Sequence, residues 1–138
     1  MKPLQDLKIV SVEQFGAAPY GTMLLAELGA TVIKIENAAI GGDPARKTGP
    51  YYLGENDSEY FQSFNSSKKS VALDLRSEEG RTALNGLIAK ADVVMNNLRG
   101  DLPAKMGLDY PALSSIKSSI VCVHISAYGR DNERTARP

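Results

Sequence analysis

The stretch that most constrains the fold is Leu7 to Glu36, LKIVSVEQFGAAPYGTMLLAELGATVIKIE. Leu7, Ile9, Val10 and Val12 form a short apolar run of the kind carried by a strand buried on both faces. Gly16, Ala17 and Ala18 are small. Pro19 has its φ preset for a first helical turn, where it leaves no N–H unpaired. Met23, Leu24, Leu25 and Leu28 supply the apolar positions of a helix, and Gly29 supplies the left-handed residue that ends it. Val32, Ile33 and Ile35 make a second strand with Glu36 at its carboxyl end. Strand, tight turn, helix, strand is a βαβ unit, which needs parallel strands and a right-handed crossover. Small residues ahead of a helix N-terminus also let a ligand approach backbone N–H groups, where the helix dipole favours anions.

The same turn carries part of a dinucleotide fingerprint. Gly16-x-Ala18-x-x-Gly21 has two of the three glycines, and an acid follows the second strand. Ala18 replaces the glycine that permits close pyrophosphate approach, and Pro19 removes a donor. By spacing alone this is an ordinary tight turn between strand and helix.

The pattern then repeats. Residues 37–57 read as loop, broken by Gly41-Gly42-Asp43-Pro44, Pro50, Gly54 and Asn56; a loop this long in a compact domain is functional or mobile. Ser58 to Asn65 suits one or two helical turns, with Tyr60, Phe61 and Phe64 as a plug of core aromatics. Val71 to Leu75 is a strand. Ser77 caps the next helix, Glu78 and Glu79 complement its dipole, and Leu84, Leu87, Ile88 and Ala91 lay one apolar stripe on the sheet. Asp92 to Met95 is a strand. Asp101 caps a short helix ending at Gly107, and Asp109 caps another from Tyr110 to Lys117. Ile120 to Ile125 is the last strand.

Five strands alternating with helices predict an α/β fold: a largely parallel sheet with helices on both faces. Such sheets bind ligands beyond the carboxyl ends of the strands, where strand order reverses. The groups expected there are Gln14 to Ala18, Glu36-Asn37, Asp74 to Arg76, Asn96 to Arg99 and Ser126 to Gly129. The last strand is followed by thirteen residues of polar loop, with Arg130, Arg134 and Arg137. A doubly wound domain needs both faces covered, so residues 1–138 are expected to form one segment of a larger fold.

Composition narrows the function classes. Sixteen basic and sixteen acidic residues cancel, so there is no electrostatic footprint for nucleic acid or an anionic membrane. No apolar run is long enough to span a bilayer. Cys122 stands alone, which precludes an internal disulfide, and Met1-Lys2-Pro3 opens no apolar leader; both fit a cytoplasmic protein. No cluster of Cys and His suggests a metal. His124, the only histidine, sits in an apolar strand and reads as a core residue, and Cys122 as a buried, inert thiol. Glu36 and Asp74 read as strand-end carboxylates that cap loops or helices. Lys68-Lys69 reads as a solvated pair ahead of a strand, with phosphate contact as the rival, and Asn96-Asn97 as a turn.

Taken in order, several stretches resemble the amino-terminal part of the family III CoA-transferases, the group that includes formyl-CoA transferase, carnitine CoA-transferase and α-methylacyl-CoA racemase. They are Leu4 to Val10, Ala18-Pro19, Leu24 to Glu36, Gly42 to Arg46, Phe64 to Leu75 and Ala91 to Leu113. The last is Ile125 to Gly129, where the family tends to a glycine-aromatic-glycine turn and this chain has Ala127-Tyr128-Gly129. The resemblance implies a Rossmann-like domain of an interlocked homodimer, with acyl-CoA and a carboxylic acid as substrates and no tightly bound cofactor. In the transferases it implies an aspartate that attacks the thioester, giving a mixed anhydride and then an enzyme-bound CoA thioester. In the racemase a His/Asp pair instead moves the α-proton. Both sets of catalytic residues fall downstream of Pro138, so the resemblance places none in this chain; a non-catalytic binding segment is the rival from another class.

Residue by residue, the resemblance matches Phe15, Gly16 and Ala17 to a turn that touches CoA, and Leu73 to Arg76 to a strand end near the adenine. It matches Asn97 and Leu98 to an Asn-Phe pair over CoA, and Lys105 to a basic residue near the phosphates. Asn37 departs from the pattern, since many members have Arg after the Glu; Arg46 and Lys47 are the candidates to replace that contact from the loop.

Overall fold

The computed structural model describes residues 1–137. Its centre is a five-stranded, wholly parallel sheet in the order β5-β2-β1-β6-β7. The strands are β1 (Lys8–Val12), β2 (Thr31–Asn37), β5 (Lys69–Leu73), β6 (Val93–Asn96) and β7 (Val121–His124). Strands β3 (Tyr52–Gly54) and β4 (Asp57–Ser58) form a separate antiparallel hairpin. The helices are α1 (Ala17–Glu27), α2 (Glu59–Gln62), α3 (Glu78–Ile88), α4 (Leu102–Lys105) and α5 (Tyr110–Leu113).

Two apolar layers sandwich the sheet. On one face Ile9 and Val32 pack against Ala18 and Ala26 of α1. On the other Val10, Val12, Ile35 and Val94 pack against Leu84 and Ile88 of α3, with Leu108 and Leu113. Adjacent residues of β1 thus face opposite layers, both dry, which is why the strand reads as a nearly continuous apolar run. The α/β class with helices on both faces is as the sequence predicts.

The differences are local. Residues 37–57 are ordered by two short 3-10 turns, Ala38–Ile40 and Pro44–Lys47, and by the β3–β4 hairpin. Asn37 and Asp43 cap the two turns, accepting the N–H groups of Ala39 and Ala45. Strand β5 lies two residues earlier than its apolar run suggests, because it pairs from Lys69 with Ile33 of β2. Helix α5 stops at Leu113 and not at Lys117; Lys117 donates instead to the Ala91 carbonyl at the foot of β6. Of the three rings expected as a core plug only Phe61 is buried, and Tyr60 and Phe64 meet edge to face at 5.2 Å nearer the surface. Cys122 is half-buried, with its thiol pushed up by burial and by the negative charge of Asp109.

Candidate functional site

The neighbours of β1, β2 and β6, lie on opposite sides of it, so strand order reverses at β1. Two hydrogen bonds tie the loops beyond that point: Asn97 Oδ1 accepts the Gln14 N–H (3.0 Å) and Asn97 Nδ2 donates to Gln14 O (2.8 Å). Asn97 is therefore a brace between two strand ends, which the turn reading of Asn96-Asn97 did not anticipate.

A cleft of about 530 Å³ opens beside this brace, at the carboxyl ends of β1, β2 and β5 on the α3 side of the sheet. Leu73, Leu75, Leu98, Leu102 and Met106 give it apolar walls; Arg76, Arg81 and Lys105 bring cations to it. Four of the residues singled out from sequence line it: Leu73, Arg76, Leu98 and Lys105. Phe15, Gly16, Ala17 and Asn97 are not in its lining. Phe15 is 44% exposed, with a left-handed φ of 59°. Gly16 faces an aromatic ring: a Cβ there would sit 3.3 Å from the Tyr60 hydroxyl. Lys105, mostly exposed, pairs with Asp101 at 2.7 Å, and Lys105 and Arg99 hold the Asp101 carboxyl below the usual carboxylate range.

Helix α3 delivers Arg81, and the turn ahead of it delivers Arg76. Ser77 Oγ accepts the Gly80 N–H (3.0 Å) and caps the first turn, as expected. Gly80 presses on the strand end, where a Cβ would overlap the Asp74 carbonyl. Only glycine lets the helix start this close to β5, and the two arginines flank that turn.

On the α1 side, bordering the same cleft, lies a buried charge network. Glu13 accepts from Ser11 Oγ (2.6 Å), Thr22 Oγ1 (3.0 and 2.9 Å) and Lys68 Nζ (2.8 Å). Lys34 Nζ donates to Asp43 Oδ2 at 2.6 Å and stands 3.8 Å from Glu13. Asp43 Oδ1 accepts the N–H groups of Phe15 (3.1 Å) and Ala45 (2.9 Å). That bond pins the left-handed Phe15 turn to the 42–47 segment. Lys68 is thus not a solvated cation: its side chain is 2% exposed and also donates to Pro19 O. Burial pushes its ammonium down, and the Glu13 carboxylate opposes that.

Glu36 closes the network. Arg46 grips it through Nε (2.8 Å) and Nη2 (2.7 Å), Ser70 Oγ donates to it, and it accepts the Asp43 N–H (2.7 Å). Burial alone raises this carboxyl, but those hydrogen bonds outweigh it and hold the pKa at about 2. Arg46 also stacks 3.8 Å from the Phe61 ring centroid. These contacts engage the Arg46 guanidinium with the protein itself.

Asp74 is a cap, accepting the Arg76 N–H. His124 is half-buried with Nδ1 2.9 Å from Asn96 Nδ2, and burial, helped by the charge of Arg130, pushes its imidazole down. The described residues hold no cluster of His, Cys, Asp and Glu able to bind a metal, and no helix long and apolar enough to cross a membrane.

Fold and cleft together define a Rossmann-like α/β unit with a ligand crevice at its topological switch point. Residues 4–138 match the model of CoA-transferase family III, and the chain belongs to that family. It is 34% identical over 133 residues to a succinate–glutarate CoA-transferase of Agrobacterium fabrum, covering 93% of this chain and 33% of that protein. It is 37% identical over 133 residues to a succinyl-CoA:mesaconate CoA-transferase of Haloarcula hispanica, covering 94% and 33%. The fold superposes on the crystal structure of a CaiB/BaiF family protein from Brucella suis with a TM-score of 0.89 and 36% identity, covering 99% of this chain and 36% of that one. The chain thus spans about a third of the length of the relatives it matches.

Proposed function

We propose that this chain supplies the CoA platform of an enzyme that moves CoA between an acyl-CoA thioester and a carboxylic acid. The observation that carries the reading is the cleft at the strand ends, where Leu73 and Leu98 offer apolar walls and Arg76 and Lys105 offer cations to a phosphorylated nucleotide. Membership of the family gives that ligand its chemical class. The relatives named above carry succinyl-CoA or succinate in their names, which favours a dicarboxylic acyl group here and CoA transfer over racemisation.

In this reading the chemistry belongs to an aspartate outside residues 1–138, in a homodimeric protein. Its carboxylate attacks the thioester carbonyl and expels the CoA thiolate, leaving a mixed anhydride. The thiolate then attacks the aspartyl carbonyl and releases the first carboxylic acid, leaving CoA on the enzyme for the acceptor. The role of residues 1–138 is to hold CoA while its acyl group is exchanged. CoA is a substrate in this scheme and not a resident cofactor.

The test is an exchange assay with succinyl-CoA and labelled dicarboxylic acids, on residues 1–138 and on the full-length protein. Expected are CoA-ester binding by both and turnover by the full-length protein alone. Turnover by residues 1–138 would overturn the placement of the nucleophile. Loss of an α-hydrogen to solvent without transfer of CoA would overturn transfer in favour of racemisation.

A further inference from the structure

The turn between β1 and α1 carries strain that its own packing does not explain. Phe15 holds a left-handed φ of 59°, a conformation uncommon for any residue but glycine. The residue is 44% exposed and joins neither apolar layer of the sheet. Strain of this kind persists only where surrounding groups impose it, and it gathers at functional sites. The preceding residue, Gln14, lines the cleft.

Two side chains from other strand ends grip this turn. Asn97, beyond β6, takes both the N–H and the carbonyl of Gln14. Asp43, beyond β2, takes the Phe15 N–H at 3.1 Å. Capping the 3-10 turn at Pro44 does not require so much: Asn37 caps the turn before it with one bond, from an exposed position. Asp43 is instead buried, with Lys34 Nζ 2.6 Å from its Oδ2 and the Ala45 N–H sharing Oδ1 with Phe15. Its own N–H is fixed by Glu36. Taking such a pair out of water is costly, and an uncharged asparagine or serine would cap as well. What the pair adds is a fixed direction for the oxygen that meets Phe15.

We propose that Asp43, anchored by Lys34, is a positioning residue for CoA exchange: through the Phe15 N–H it fixes the part of the cleft wall that Gln14 supplies. The inference rests on the transfer reading above, and it gives Asp43 no contact with the reacting atoms. Without that carboxylate the Phe15 backbone returns to a negative φ, and the Gln14 peptide turns with it. Exchange depends on holding the thioester in line with the attacking carboxylate. A wall displaced by about an ångström therefore slows the reaction more than it weakens binding.

The experiment measures exchange between succinyl-CoA and labelled succinate by the full-length protein, with unfolding temperatures alongside. The variants are Asp43→Ala, Phe15→Gly and the two combined. Asp43→Ala should lower kcat about tenfold or more, with KM for succinyl-CoA moved less than about threefold. It should also lower the unfolding temperature, because Lys34 loses its partner. Adding Phe15→Gly should return much of the lost kcat, because glycine takes a left-handed φ without strain, while the unfolding temperature stays low. Activity and stability that fall together, with no recovery from Phe15→Gly, would reduce Asp43 to a structural role and overturn the proposal. If Asp43→Ala does not fold, Phe15→Val and Phe15→Asn carry the same test with Asp43 intact. A β-branched residue opposes the left-handed turn and asparagine tolerates it, so kcat should be several-fold lower for Phe15→Val; equal values would sink the idea. No exchange by the unsubstituted protein is a separate result, read before any variant is compared: the transfer reading falls, and this inference with it.

Discussion

The two sides of the sheet handle charge at their carboxyl ends in opposite ways. On the α1 side Glu13, Lys34, Asp43 and Lys68 are buried and satisfy one another, and Glu36 with Arg46 extends the set. On the α3 side Arg76 and Arg81 line an open cleft with no carboxylate partner among the described residues, and Lys105 holds an exposed one. The first set has its acceptors built in and forms a frame along one side of the cleft. The second leaves donors for something that is not protein. Burial decides the difference: a charge taken out of water must bring its partner along, whereas a charge at a rim can wait for a ligand.

That contrast can be broken most severely at Lys34. Its side chain is 1% exposed, and Lys34→Ala would leave the Asp43 and Glu13 carboxylates buried without their shared cation. A stability loss of about 3–5 kcal/mol is expected from chemical denaturation, as for other buried pairs deprived of one member. A loss below about 1 kcal/mol would show that the network is not a frame.

The next effect is a pH dependence. The Glu36 carboxyl is lowered from 4.5 to about 2 in the folded chain. A depressed carboxyl contributes stability that is full above the unfolded value and is lost as pH falls toward the folded one. The unfolding free energy from urea titrations should therefore drop between pH 4.5 and about 2, by an amount on the order of a few kcal/mol. Glu36→Gln should be less stable at neutral pH and should lose this part of the acid slope. An unchanged slope would assign the acid sensitivity to other carboxylates.

The smallest effect belongs to the rim. Lys105→Glu should leave the unfolding temperature nearly unchanged, because the side chain is 66% exposed. The dissociation constant for a CoA ester should rise several-fold at low salt and less at high salt. Unchanged affinity at low ionic strength would remove Lys105 from the cleft's cationic side. A large fall in unfolding temperature would instead move it to the frame.

Much of this architecture was legible residue by residue. The apolar runs at Ile9–Val12 and Val32–Ile35 report strands buried on both faces, and Ser77 and Gly29 punctuate helices where the structure starts and stops them. Strands alternating with helices imply a parallel sheet and hence a crevice at the carboxyl ends, and Leu73, Arg76, Leu98 and Lys105 do line one. The 37–57 segment was not legible, because its turns and hairpin are held by contacts between distant groups, such as Asn56 Nδ2 donating to Gly41 O and Ser58 Oγ donating to Ala45 O.

The same division separates the charges. Local periodicity determines which face of the sheet a residue takes, so the α/β class and the identity of the strand ends follow from sequence alone. It says nothing of what waits on that face. Lys68 reads as solvated from its neighbours Lys69 and Ser70, yet it meets Glu13, 55 positions away, because β5 is drawn beside β2 and the chain before it passes under α1. Arg46 reads as free to meet a phosphate, yet Glu36 takes it, while Arg81, unremarkable in a helical stretch, has no carboxylate partner among the described residues. Which cations are spent on the frame and which remain for a ligand is settled only by the order of the strands and the path of the loops, since electrostatic pairing depends on distance in space and not along the chain.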